Sequence, residues 1–180
     1  MALSATVYTF EIDLSDSDRG VYESLVLRVA RHPSESDEYL VARVLAYCLE
    51  YTDGTAFSPG GLSDPDEPPI AVRDLTGRVL AWIDVGTPDA ARLHRASKAT
   101  PRVAVYVHKD PYQWLRSLVG ARIHRAEALE VWGFDRAFVA SLCARLERRT
   151  SFTLSVSDRE LYVSFAEATL TGPVTRLTLP

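Results

Sequence analysis

Lysine is almost missing from this chain: of 20 basic residues, only Lys98 and Lys109 are lysines. Arginine keeps its charge at any physiological pH, so chemistry that needs a neutral amine has just these two candidates. Cysteine is scarce as well. Cys48 and Cys143 lack CxxC or CxxH partners, which excludes a zinc ribbon and a disulfide framework. Both sit in apolar helical patterns and read as buried free thiols, in keeping with a bacterial cytoplasm. No apolar run reaches the ~18 residues of a membrane helix. The acidic, alternating start MALSATVYTFEIDL is unlike a signal peptide, so no membrane partner is expected. Gly-rich phosphate loops, HExxH and GxSxG are absent. Neither repeats nor low-complexity tracts occur.

What is present suits a globular protein. The 180 residues are 47% hydrophobic, enough for a single compact domain over 1–180. A monomer is expected. The net charge of −4 argues against non-specific coating of nucleic acid but leaves room for a local basic patch. Alternation predicts strands at 4–13 and 21–31 about a turn at 15–20. Pro33-Ser34 predicts the start of a helix, with Ser34 as N-cap, running to about Tyr51. Residues 53–69 read as a long loop. Strands at 70–74 and 79–85 follow, the second nearly continuous in apolar residues, as in a strand covered on both faces. Pro88-Asp89 predicts a helix to about Thr100, and 102–107 another central strand. Asp110-Pro111 predicts a helix to about Leu118, and 129–132 a short strand. An amphipathic helix is expected at 134–149, then strands at 151–157 and 160–165 and a short one in the tail. Hairpins mixed with βαβ units predict an α/β (α+β mixed) fold, with a central mixed β-sheet flanked by helices.

Three carboxylates attract attention. Asp84 interrupts the apolar strand at 79–85, where a charge must be paired, exposed at the strand end or bound to a cation. Asp66 lies in the loop DPDEPP. Glu38 falls in the first turns of its helix, beside the buried stripe, with Glu35 one turn earlier. Separately, each has an ordinary reading as strand cap, loop acid or complement to the helix dipole. Together they suit Mg²⁺ or Mn²⁺, ions held by few carboxylates that keep part of their water shell. Such an ion polarises a phosphate and activates the attacking water. Arg92, Arg95 and Lys98 recur every three residues on one broad helix face, suited to phosphate or simply to solvent. Rise per residue places Arg95 nearest the level of Asp84. Lys98 lies a turn farther, its long side chain leaning back toward the helix start.

The chain resembles the YaeQ family over nearly its whole length. The matching stretches are MALSAT at the start, ARHPSE at 30–35 with Glu38 after it, GLSDPDEP at 61–68 and WIDVG-x-PD at 82–89. RASKA at 95–99, VAVYV at 103–107 and VWGF at 131–134 extend the match. The resemblance implies a restriction-endonuclease-like variant of the PD-(D/E)XK nuclease fold. Carried over position by position, Glu38, Asp66 and Asp84 fill its acidic, metal-holding signature. The motif lysine falls on Gly86, which leaves Arg95 or Lys98 to replace it. One expectation is therefore a nuclease hydrolysing phosphodiester bonds of nucleic acid, with catalytic Glu38, Asp66, Asp84, Lys98 and Arg95 around Mg²⁺ or Mn²⁺. The other is a non-catalytic binding or regulatory module that retains the nuclease fold.

Overall fold

The structure, a computed structural model, describes residues 4–59 and 66–180. Residues 1–3 and 61–65, which carry part of the family resemblance, lie outside the described residues, as do residues 60–65 of the expected long loop. In chain order the first half forms β1 (Thr6–Asp16), β2 (Val21–Arg31), α1 (Asp37–Glu50), β3 (Thr55–Phe57), β4 (Ile70–Arg73) and β5 (Val79–Val85). The second half forms α2 (Ala90–Ala99), β6 (Arg102–Val107), α3 (Pro111–Ser117), β7 (Glu130–Phe134), α4 (Arg136–Cys143), β8 (Arg149–Ser157), β9 (Glu160–Ser164) and β10 (Thr169–Leu177). The mixed α+β class is what the chain adopts. The residues fall into two compact units, 1–41 with 134–174, and 42–133 with 175–180. Among the described residues no helix is long and apolar enough to cross a membrane.

In the first unit, β1 and β2 form an antiparallel hairpin. Every second residue is buried: Phe10, Ile12 and Leu14 on β1, Leu25, Leu27 and Val29 on β2. This is the period-2 signature of a sheet with one covered face. β1 also pairs in parallel with β8, and the sheet continues antiparallel through β9 to β10. The β8–β9 turn holds Asp158 and Arg159 at φ 50° and 59°. That left-handed pair matches the twist of the flanking strands. Both turn amides donate to the Asp18 carboxylate, at 2.8 and 3.0 Å, which supports the geometry without glycine.

The second unit holds a mixed sheet in the order β7-β6-β5-β4-β3. Its β3 and β5 each pair antiparallel with β4, while β5, β6 and β7 are parallel. One face carries Trp82, Val103, Val105, Val107 and Val131, packed with Leu93 and Ala96 of α2 and Trp114 of α3. Tyr106 alternates to the opposite face, where its hydroxyl donates to Glu50 at the end of α1 at 2.6 Å. Arg102 bridges Glu50 (2.6 Å) and Glu130. Burial works against the charge on Arg102, yet these two carboxylates hold its pKa above the ordinary value.

Several boundaries differ from expectation. The helix expected to start at Ser34 starts at Asp37, and Ser36 rather than Ser34 caps it, accepting from the Tyr39 amide at 3.1 Å. Residues 32–35 close a turn of their own: the Glu35 amide donates to the His32 carbonyl, and the His32 amide to the Glu35 carboxylate. Short β3 forms inside the expected loop. The helix expected over 134–149 ends at Cys143, because Arg149 onward pairs with β1. The tail strand is nine residues long rather than short. Cys48 is buried as expected, but Cys143 is half-buried. Burial, and then the charges of Glu38 and Asp37, push the Cys143 thiol up to about 12.

Candidate functional site around Asp84

Asp84 lies one residue before the end of β5, on the same face as Trp82 two residues earlier. It is only 3% exposed. Its Oδ2 accepts from the Trp82 indole Nε1 at 3.2 Å and from Arg92 Nε at 2.7 Å. Arg92 is held on further sides. Its Nη2 donates to the Glu67 carbonyl at 2.9 Å, and its guanidinium lies 5.2 Å from the centre of a Trp82 ring. Glu67 in turn accepts from the Ser58 hydroxyl at 2.6 Å. The charge of Asp84 is thus compensated inside the fold by one guanidinium and one indole N–H.

The local sequence explains the arrangement. Gly86 turns the chain at φ 99°, a conformation that side-chain-bearing residues avoid, and its amide donates to the Tyr106 carbonyl at 2.9 Å. Asp89 then caps α2, its carboxylate accepting from the Arg92 amide at 2.8 Å. The short connection starts α2 beside the end of β5. Helical side chains lean toward the helix start, so a first-turn residue reaches Asp84. That residue is Arg92, which corrects the placement of Arg95 nearest Asp84 with Lys98 reaching back. Both Arg95 and Lys98 are exposed.

The other acidic candidates have different surroundings. Asp66 is exposed in a turn. Glu38 is exposed in the first turn of α1, at the end of the helix, ahead of the buried run that starts at Leu40. The buried acid of that stretch is Glu35, 4% exposed. Among the described residues, no three His, Cys, Asp or Glu side chains gather where they could hold one metal ion. Sequence reasoning singled out Arg92 within its triplet but not as the partner of Asp84. The signal for it was Asp89, three residues earlier, which fixes the start of the helix. The Glu50–Arg102–Glu130 bridge carried no local signal, since its members come from three separate elements.

Residues 1–173 match the family model described as YaeQ protein. The chain belongs to the YaeQ family. It is 30% identical to the protein YaeQ of Escherichia coli (strain K12) over 166 residues, covering 91% of each. It is 29% identical to that of Salmonella typhi over 175 residues, covering 94% of each. Among solved structures, the YaeQ protein from Xanthomonas axonopodis pv. citri superposes with a TM-score of 0.88 at 33% identity, covering 98% of this chain and 100% of that one. The YaeQ protein from Pseudomonas syringae gives 0.85 at 32% identity, covering 97% and 96%. The YaeQ fold of those two crystal structures therefore extends over nearly all of this chain, and its YaeQ relatives are bacterial.

Proposed function

We propose that this YaeQ-family chain is a binding or regulatory module that retains a variant of the PD-(D/E)XK nuclease fold as one functional domain and does not cleave nucleic acid. The observation that carries the reading is the Arg92–Asp84 pair. A divalent cation would need the Asp84 carboxylate and room for its water shell. Oδ2 of Asp84 already takes two N–H donors, and a guanidinium neutralises the charge that would attract the ion. Displacing Arg92 would strip a partly buried cation of its carboxylate partner, which is costly. Gly86 supports the same reading. At φ 99° a lysine there would be strained, so the motif lysine has no easy route back to this position.

The test is a cleavage assay on single-stranded and duplex DNA and RNA with Mg²⁺ or Mn²⁺. No metal-dependent product is expected from the parent protein. Metal-dependent cleavage that disappears in a folded Asp84→Asn variant would establish the nuclease instead.

A further inference from the structure

A second feature of α2 lies away from Asp84. Residues 90, 91, 94, 95 and 98 share the helix face turned away from buried Leu93 and Ala96. With Arg122, Ile123 and His124 from the segment after α3, they line a cleft of about 770 Å³. Ala90 and Ala91 are small and leave the space open. Arg95, Lys98 and Arg122 bring three positive charges to it, and among the described residues no acidic one lines it. Among the described residues, none of these three side chains forms an ion pair. Such clustering of uncompensated charge in a chain of net charge −4 calls for an anion.

The two walls are fastened to each other. The Ser97 hydroxyl donates to the His124 carbonyl at 2.6 Å. The His124 amide donates to His94 Nδ1 at 3.1 Å, so the neutral imidazole carries its proton on Nε2 and can act as a donor. Arg125, left-handed at φ 48°, reaches back to the Ser97 and Thr100 carbonyls at 2.9 and 3.0 Å. The cations are therefore presented on a fixed frame, which lowers the ordering cost of binding.

We propose that this cleft binds a compact phosphate group, a mono- or diphosphate on a small ligand, with Arg95, Lys98 and Arg122 supplying charge and His94 an N–H donor. Three observations favour a small ligand over a nucleic-acid strand. The volume lies within the range of small-molecule sites. Among the described residues no Phe, Tyr or Trp lines the cleft, and its two imidazoles, His94 and His124, meet edge to face with centroids 6.4 Å apart rather than forming a flat platform for successive bases. The net negative charge of the chain repels a long polyanion while a local cluster still holds a short one. This inference goes beyond the Asp84 reading and stands separately from it, because hydrolysis or its absence at Asp84 leaves the cleft unchanged.

Calorimetric titration of the full chain with inorganic phosphate and with pyrophosphate tests it, beside a short single strand and a short duplex. One equivalent of pyrophosphate is expected to bind, more tightly than phosphate. Arg95→Gln, Lys98→Gln and Arg122→Gln should each weaken it about tenfold. Exposed Arg136→Gln, in the other unit, should leave it unchanged. All four sites are exposed, and a thermal melt checks that each variant folds. Failure of both small anions to bind overturns the proposal, as does equal weakening by Arg136→Gln. Tighter binding of either oligonucleotide than of pyrophosphate, lost in the same cleft variants, overturns it in favour of a nucleic-acid surface.

Discussion

Replacing Arg92 by methionine removes the guanidinium that lies over the Trp82 ring and leaves an unbranched apolar side chain in its place. Asp84 is then left as a buried charge with one indole donor. Removing one member of a buried pair costs ~3–5 kcal/mol. The Arg92 side chain is 19% exposed, so water can partly replace it, and the lower figure of ~3 kcal/mol applies. In a chain of this length that lowers Tm by roughly 6–12 °C. Asp84→Asn keeps an oxygen for the indole and loses the charge, leaving Arg92 able to turn toward water. Its cost should be smaller, ~1–2 kcal/mol. If the two side chains hold each other, the double variant loses less than the sum of the singles, by ~1 kcal/mol or more. Urea unfolding of the four proteins, followed by circular dichroism, gives the coupling. Additivity within ~0.5 kcal/mol would refute the pairing as a source of stability. Stabilisation by Asp84→Asn alone would refute it more sharply, since relief of repulsion belongs to a crowded acid cluster.

Other outcomes follow from the same geometry. Gly86→Ala should cost ~1–3 kcal/mol in urea unfolding, because φ 99° strains any residue with a Cβ. Gly86→Lys should destabilise comparably and yield no Mn²⁺-dependent cleavage. Tyr106→Phe removes the 2.6 Å hydrogen bond to the Glu50 carboxylate and should cost ~1.5–3 kcal/mol by the same assay. Cys143, with its thiol pushed up to about 12, should react with iodoacetamide at pH 8 about a thousandfold more slowly than an ordinary thiol of pKa ~8.5, as read by mass spectrometry. The linkage has a definite sign. Between ~8.5 and about 12 the unfolded chain gives up this proton and the folded one keeps it, so the contribution to stability falls as pH rises through that window.

How much of this was legible depended on how local the cause was. The strands at 21–31, 79–85 and 102–107 appeared with their observed bounds, because alternation or a continuous apolar run defines each one within itself. The starts of α2 and α3 were legible from Asp89 and Asp110, whose side chains cap their helices. α1 was misplaced because Ser34 and Ser36 are both credible caps, and the choice is made by the turn that Glu35 closes with His32. The end of α4 was hidden because β8 pairs with β1 across about 140 residues of sequence, and no local pattern announces a parallel partner. Asp84 was legible as a buried acid in need of a partner. Which cation it takes was not, since Arg92 and Arg95 differ by one turn and the turn at Gly86 sets where α2 begins. Arg122 and His124 gave no signal at all, because the bond from Ser97 to the His124 carbonyl is what brings them to α2.

The most direct measurement asks whether Asp84 is available to a metal ion. Trp82, whose indole N–H donates to Asp84 at 3.2 Å, is a built-in reporter among three tryptophans. Paramagnetic Mn²⁺ added to ¹⁵N-labelled protein broadens the resonances of nearby N–H groups. If Arg92 occupies the carboxylate, the Trp82 indole and Arg92 Nε signals stay as sharp as those of Trp114 and Trp132 throughout the titration. Selective broadening of Trp82 and Arg92 at low Mn²⁺, abolished by Asp84→Asn, contradicts the pairing and places a metal at Asp84.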